Sequence, residues 1–183
     1  MCHFLSVCVL RNGDICHHPL LDSHSDIVTY FKLPDKQHTR HFAKVEFTPA
    51  PDKDGVPQYA DYNKYTLRVD EETEPAWFAE HRETVEKKLR AMVKAMIIDD
   101  DTVPLVLDGC WILVKGAKVR EARAGRIIAM IGNAKVATLS GAQVDVMRGT
   151  SKVSVMWGNS KVGVMWDTSQ APNPPITDKR ATP

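Results

Sequence analysis

A short unit that recurs six times between Gly116 and Gln170 is the feature that most constrains the fold of this chain. Its clearest copies are KVSVMWGNS, which begins at Lys152, and KVGVMWDTS, which begins at Lys161. The first apolar residues of the six units follow one another at intervals of 8 or 9 residues: Val119, Ile127, Val136, Val144, Val153 and Val162. A period this regular is typical of a repeat architecture.

A residue suited to a tight turn lies five places after the apolar position in most units: Gly132, Gly141, Gly149, Gly158 and Asp167. Each unit is therefore expected to be a short strand that ends in a turn. Because a coil of 8 or 9 residues is too tight to enclose side chains, we expect two units per coil. The six units then predict a short parallel β-solenoid of about three coils, roughly 14 Å long at a strand spacing of about 4.8 Å.

The residue types at equivalent positions separate the interior of this solenoid from its surface. The valine position is apolar in every unit, and so is the position three residues later: Ala122, Met130, Leu139, Met147, Met156 and Met165. Both columns are expected to fill the core. The position four residues later is mixed and is expected to face outward, with Arg148 below Trp166 and Ser140 below Trp157: Arg123, Ile131, Ser140, Arg148, Trp157 and Trp166.

The outward residues combine cations with aromatic rings, as sites for nucleotides and single-stranded nucleic acid do. A basic or amide residue also precedes the valine position in every unit: Lys118, Arg126, Lys135, Gln143, Lys152 and Lys161. The candidate ligand-binding residues are Arg123, Arg148, Trp157, Trp166, Lys135, Lys152 and Lys161. The alternative is that lysines on stacked strands keep the sheet from recruiting other chains.

The net charge of +1 hides an asymmetry between the two halves of the chain. Residues 111–183 carry 11 basic and 4 acidic residues, a net charge of +7, whereas residues 1–110 carry 13 and 19, a net charge of −6. Such a division points to an anionic partner for the basic half, or to two halves that attract one another.

Residues 1–110 predict an α+β domain with a hairpin, a short helix, two strands and a long helix. The hairpin turns at Asn12-Gly13, a pair typical of a type I′ turn. Apolar residues at helical spacing predict the long helix over residues 74–98, packed on the antiparallel sheet. Residues 111–170 form the solenoid, and the proline-containing tail 171–183 is expected to be extended or disordered.

The repeats resemble those of a group of uncharacterised bacterial and phage proteins. These proteins end in tandem units of the type Ser-Ser-Gln-Val-Gly-x-Met-Trp-Gly after an N-terminal α+β domain. The likeness extends to Gly109-Cys110-Trp111 before the repeats and to Phe47-Thr48-Pro49 in the N-terminal region. It implies the fold described above and no established activity.

Two other features carry candidate chemistry. Cys2 follows Met1, whose removal would leave an N-terminal cysteine whose α-amine can act as the base for its own thiol. Six of the seven histidines lie in the first 41 residues beside three cysteines, and zinc uses imidazole and thiolate ligands. The candidate metal ligands are Cys16, His17, His18 and His24, although no pair has the spacing of a known zinc motif.

The longest apolar run near the N-terminus, Phe4–Leu10, is too short for the apolar region of a signal peptide, and no stretch approaches membrane-spanning length. The four cysteines are few, and they are expected to be free thiols and not a disulfide framework. We therefore expect a cytoplasmic protein, in the host cytoplasm if a phage encodes it, with free thiols and no cofactor. The leading interpretation is a non-catalytic binding or interaction protein whose solenoid binds an anionic ligand, a protein partner or a second copy. The alternatives are a small thiol- or metal-dependent enzyme, and a structural component of a phage or cellular assembly.

Overall fold

The structure is a computed structural model, and it describes residues 5–34, 38–99, 103–106 and 109–172. The chain divides into two compact units, Met1–Ala95 and Met96–Pro183. The first is an α+β unit and the second is a parallel β-solenoid, so the predicted fold class is confirmed. The division lies upstream of residue 110, the boundary expected from the sequence.

The first unit is built on an antiparallel sheet of four strands in the order β2-β1-β3-β4. Its elements in chain order are β1 (Leu5–Leu10), β2 (Ile15–Cys16), α1 (His24–Tyr30), β3 (Phe42–Pro49), β4 (Tyr65–Val69) and α2 (Arg82–Met96). Short 3-10 helices cover His38–Arg40, Tyr62–Lys64 and Ala76–Glu80. The predicted hairpin, short helix and pair of strands are all present.

The turn of the opening hairpin differs from the predicted type I′ turn. Gly13 has a positive φ of 81°, but Asn12 is not among the residues with positive φ, and a type I′ turn needs both. The Asn12 side chain instead accepts a hydrogen bond from the backbone N–H of Asp14 at 3.1 Å. This local side-chain hydrogen bond supports a turn in which only Gly13, and not Asn12, has the left-handed backbone conformation.

The long helix is shorter than the predicted span of residues 74–98. Its first part is the 3-10 helix, where the Trp77 indole N–H donates to the carbonyl oxygen of Thr39 at 2.8 Å and Phe78 is fully buried. Two adjacent large side chains are thus anchored before α2 begins. At the other end, the apolar residues 97 and 98 leave the helix because they pair as a strand with residues 112 and 113.

The second unit consists of nine strands: β5 (Ile97–Ile98), β6 (Val103–Val106), β7 (Cys110–Leu113), β8 (Lys118–Arg123), β9 (Arg126–Met130), β10 (Lys135–Ser140), β11 (Gln143–Met147), β12 (Lys152–Trp157) and β13 (Lys161–Met165). They form two parallel sheets, in the orders β12-β10-β8-β6 and β13-β11-β9-β7-β5. Successive strands alternate between the sheets, so two units make one coil, as predicted. The solenoid has about four turns rather than three, because β5, β6 and β7 extend the stack before the first recognisable repeat.

The predicted core columns are buried over most of the stack. Val136, Leu139, Val144 and Met147 have no exposed surface, and the other members follow them except in the last unit. There Met165 is 48% exposed because no described coil covers it. The predicted outward stacks are also present.

These stacks follow from the strand register. Ser140 is in register with Trp157, and the pairing of Met147 with Met165 places Arg148 beside Trp166 on the next coil.

The chain bends at two corners of each coil, and both corners use positive φ angles. One corner contains Lys115, Gly132, Gly149 and Asp167, with φ between 52° and 74°. The other contains Ala124, Gly141 and Gly158, with φ between 46° and 69°. The glycines five residues after the valine position therefore lie in turns, as predicted.

Candidate functional site

Three lysines form a column on the surface of the solenoid. Lys118, Lys135 and Lys152 begin β8, β10 and β12, and strand pairing places them in register. All three are exposed. Because adjacent strands are about 4.8 Å apart, the three side chains leave the sheet at equal intervals along the solenoid axis. We call this set the lysine column.

The lysine column has no acidic counterpart within the part of the chain that the structure describes: no carboxylate oxygen lies within 4 Å of any of its three ammonium groups. The equivalent column on the other sheet is different. There the Arg126 Nε atom lies 2.7 Å from Asp145 Oδ2, and the Gln143 amide donates to Asp145 Oδ1 at 2.6 Å. The carboxylate of Asp145 offsets the positive charge of that column, which Lys161 completes.

The two candidate arginines are already engaged with carboxylates. Arg123 donates from Nε to Glu121 Oε1 at 2.7 Å and from Nη2 to Glu121 Oε2 at 2.9 Å. This pair of hydrogen bonds lowers the pKa of the Glu121 carboxyl and raises that of the Arg123 guanidinium. Arg148 Nε lies 3.8 Å from Asp167 Oδ2. An anionic ligand would have to compete with these carboxylates for either arginine.

The candidate tryptophans lie away from the lysines. Trp157 is half-buried and is the last residue of β12, whereas Lys152 is the first. At 3.3 Å per residue, the two residues are about 17 Å apart along the strand. Trp166 is 57% exposed and lies just after β13, on the other sheet. The structure therefore divides the seven candidate residues between two sheets. On one are Arg123, Lys135, Lys152 and Trp157, and on the other are Arg148, Lys161 and Trp166.

The sequence analysis left Lys118 out of the candidate site, although the structure aligns it with Lys135. The signal was available, because Lys118 precedes the valine position of the first unit just as Lys135 and Lys152 do in later units. Arg120 is exposed on the same strand two residues further on and adds a fourth cation near the lysine column. Both residues belong to the same basic face.

Two of the four candidate metal ligands, His18 and His24, are engaged in separate interactions. His24 Nε2 lies 3.2 Å from the carbonyl oxygen of Val45, and its Nδ1 lies 3.4 Å from Asp70 Oδ2. His18 Nδ1 accepts from the N–H of Leu20. Among the described residues, half-buried His17 has no hydrogen-bond partner at Nδ1, and burial lowers its pKa. Among the described residues, no three His, Cys, Asp or Glu side chains come together as a group that could hold a metal ion.

The cysteine thiols of the first hairpin are buried and face one another. Cys8 on β1 lies opposite Cys16 on β2 in the strand register, and neither cysteine forms a disulfide. Burial raises the pKa of the Cys8 thiol to about 12, with a further contribution from the neighbouring Cys16. Burial also raises the pKa of Cys16. A raised pKa favours the protonated thiol at neutral pH, and the protonated thiol is less reactive than the thiolate.

We expect Cys8 in the native protein to react with iodoacetamide at pH 8 at least ~100-fold more slowly than a free thiol, because its thiolate fraction is only about 1 in 10,000. Peptide mapping by mass spectrometry over a time course measures this rate. The same protein unfolded in guanidinium chloride is the control, and there Cys8 should react at the ordinary rate. Rapid native alkylation of Cys8 would contradict the buried position.

The candidate nucleophile Cys2 lies outside the described residues, as do His3 and the tail from residue 173 onward. Among the helices that the structure describes, none is long and apolar enough to span a membrane. Comparison of the chain with protein families, with curated proteins and with solved structures found no match.

Proposed function

We propose that this protein is a non-catalytic binding protein whose solenoid presents the lysine column to a linear polyanion. The observation that carries the proposal is the column itself: Lys118, Lys135 and Lys152 are in register, exposed and without an acidic partner among the described residues. In the basic column of the other sheet Arg126 has a carboxylate partner, and so do Arg123 and Arg148. The lysine column thus keeps its charge available.

The stacking of three like charges costs free energy. Two unit charges 4.8 Å apart in water repel one another by about 0.9 kcal/mol before salt screening. The long side chains reduce this repulsion by spreading apart, but no carboxylate among the described residues pairs with them in return. A bound polyanion converts the same charges into attraction, and releases counterions as it binds.

A polymer fits the lysine column better than a small ligand does. The first and last lysines are about 10 Å apart along the solenoid axis, since two strand spacings separate them. Repeated negative groups are needed to contact all three. Single-stranded nucleic acid has such groups, and Trp157 at the other margin of the same sheet offers a ring on which a base can stack. Nucleic acid is present in the cytoplasm, the compartment predicted from the sequence.

Replacing Lys118, Lys135 and Lys152 together by glutamine is expected to weaken binding of a single-stranded oligonucleotide by at least ~10-fold at low salt. The slope of log K against log salt should become less steep by about 2, because each phosphate contact with single strands contributes about 0.7. Fluorescence anisotropy of a labelled oligonucleotide over a salt series measures both quantities. The same substitutions should leave thermal stability unchanged or slightly raised, since they remove repulsion.

A matched control removes the same charge from elsewhere in the protein. Lys32, Lys53 and Lys87 are exposed residues of the first unit and do not form a column. Their triple replacement by glutamine should leave affinity close to that of the natural protein. Equal losses in the two triple variants would show a general charge effect and contradict a site. Absence of binding by the natural protein at low salt would contradict the proposed function itself.

A further inference from the structure

Two cysteines of the opening hairpin face one another, and the proposed polyanion site does not use them. Cys8 on β1 and Cys16 on β2 are in register, so both side chains leave the sheet on the same face. They belong to one buried cluster with Ile27, Val28 and Phe42, and neither forms a disulfide. The hairpin therefore holds two free thiols next to each other inside the first unit.

The backbone spacing of this pair suits a disulfide. The Leu10 N–H donates to the carbonyl oxygen of Asp14 at 2.8 Å, and the register makes Cys8 and Cys16 the next hydrogen-bonded pair along the hairpin. Cα atoms in such a pair are about 5.5 Å apart, within the range of about 4.4 to 6.8 Å across a disulfide. Cβ atoms of facing residues are about 4.5 to 5.5 Å apart, so β2 would have to approach β1 by up to about 1 Å.

Of the two strands, β2 is the one that can move. It has two residues and lies at the edge of its sheet, and among the described residues its only strand partner is β1. β1 lies between β2 and β3 and pairs with β3 over six residues. Short edge segments open more readily than the strands inside a sheet. Opening of β2 exposes the Cys16 thiol to water, which removes the burial that raises its pKa.

We propose that Cys8 and Cys16 form a reversible disulfide by exchange with a small-molecule disulfide such as oxidised glutathione. When β2 opens, the Cys16 thiolate attacks one sulfur of oxidised glutathione, which forms a mixed disulfide and releases one glutathione thiolate. When β2 pairs again, the Cys8 thiolate attacks the Cys16 sulfur, which forms the Cys8–Cys16 bond and releases the second glutathione thiolate. The two protons that leave the cysteines protonate the two glutathione thiolates. The cysteine pair is oxidised, and the glutathione disulfide is reduced.

The second step is fast enough despite the small thiolate fraction of Cys8. Strand pairing holds the mixed disulfide directly opposite the Cys8 sulfur, so the reaction is intramolecular and its effective concentration is high. The same pairing makes Cys16 a better target for Cys8 than any thiol in solution is. The burial that protects Cys8 from external reagents therefore leaves this reaction open.

The disulfide would lock the hairpin by keeping β2 on the edge of the sheet. Because β2 must move toward β1 for the bond to form, the bond is strained, and strained disulfides are reduced more easily than relaxed ones. We therefore expect the dithiol form in a reducing cytoplasm, the compartment predicted from the sequence, and the disulfide form where oxidised glutathione accumulates. The pair then responds to the redox state of its surroundings.

Oxidation of the native full chain in a Cys2→Ser background tests the proposal. The protein is incubated with oxidised glutathione, its remaining thiols are blocked, and it is digested with trypsin without reduction. Trypsin cleaves after Arg11, so the disulfide should join residues 1–11 to the peptide that begins at Asn12, and mass spectrometry detects the joined peptides. Dithiothreitol should separate them. Cys110 is buried in the second unit and is the internal control, which should remain a free thiol.

Single variants test the order of the two steps. Cys8→Ser should accumulate the mixed disulfide at Cys16, because no second thiol is present to resolve it. Cys16→Ser should leave Cys8 at least ~10-fold less glutathionylated over the same period, because β1 does not open with β2. Circular dichroism confirms that both variants fold. Equal glutathionylation of the two variants would overturn the role given to β2.

Hydrogen exchange measures the lock itself. Oxidation should slow exchange of the β2 amides by about 10-fold or more and leave the β10 amides of the solenoid unchanged. Two results would overturn the proposal: native protein that forms no Cys8–Cys16 disulfide at any ratio of oxidised to reduced glutathione, or a reaction that stops at the mixed disulfide. The cysteine pair lies in the first unit and the lysine column in the second, so this proposal and polyanion binding can fail separately.

Discussion

Replacement of Leu139 by alanine is expected to destabilise the solenoid by about 3 to 5 kcal/mol, the upper part of the range for a buried leucine. Leu139 is fully buried on β10, in the middle of its sheet, and is in register with Ala122 below and Met156 above. Because Ala122 is already small, it cannot fill the space that the leucine side chain leaves. The surroundings therefore relax little, and the cavity persists.

Met165→Ala is the matched control for this prediction, because Met165 occupies the equivalent position on β13 but is 48% exposed. It should cost less than about 1 kcal/mol, as surface substitutions generally do. The chain has two compact units, so a measurement specific to the solenoid is needed. Hydrogen exchange of the β10 and β12 amides measures the stability of the solenoid directly. Equal losses of protection in the two variants would contradict the assigned core.

Leu139 also shows why the sequence predicted so much of this fold. Its place in the core follows from a column of equivalent residues, and a column is visible in a repeat without any alignment. The same reasoning placed two units in each coil, because one unit cannot enclose side chains. It also placed Trp157 on the surface above Ser140, where the strand register sets them. In a repeat protein, residues at equivalent positions in successive units stack on one another, so their spacing in the sequence predicts their positions in the fold.

Where the repeat fades, the sequence predicted less. The coil before Lys118 lacks the basic-apolar-glycine pattern, and β6 contains a proline, so the six recognisable units predicted only about three coils. Ile97 and Ile98 continued the apolar face of α2 and were assigned to the helix. They form a strand because parallel pairing with residues 112 and 113 outweighs a helical preference that β-branched residues hold only weakly.

The candidate site was predicted in composition but not in arrangement. The sequence shows which residues are basic, but not which of them have carboxylate partners. Glu121 neutralises Arg123 from two residues away, and Asp145 reaches Arg126 across neighbouring strands. Both contacts depend on side-chain geometry that residue spacing does not specify. The outward column of Arg and Trp residues thus contributes fewer available charges than expected, and the lysine column contributes more.

The second large effect is expected at a turn. Gly149→Ala should destabilise the solenoid by about 2 to 5 kcal/mol, from two causes that act together. Its φ of 70° is a left-handed conformation that costs a non-glycine residue about 1 to 2 kcal/mol. A Cβ atom there would also lie 2.7 Å from the carbonyl oxygen of Gly132 on the coil below, and relief of such overpacking typically costs 1 to about 3 kcal/mol.

Gly158→Ala separates these two causes. Gly158 has a φ of 59° at the other corner, but a Cβ atom there would meet nothing within 4 Å. It should therefore show the conformational cost alone, about 1 to 2 kcal/mol. The difference between the two variants, measured by hydrogen exchange of the flanking strands, isolates the contact between coils. If both variants lost the same stability, the close approach of residue 149 to the coil below would contribute nothing to the requirement for glycine at that corner. If Gly149→Ala lost more, glycine would be required there because the coils stack closely, beyond the requirement of the turn itself.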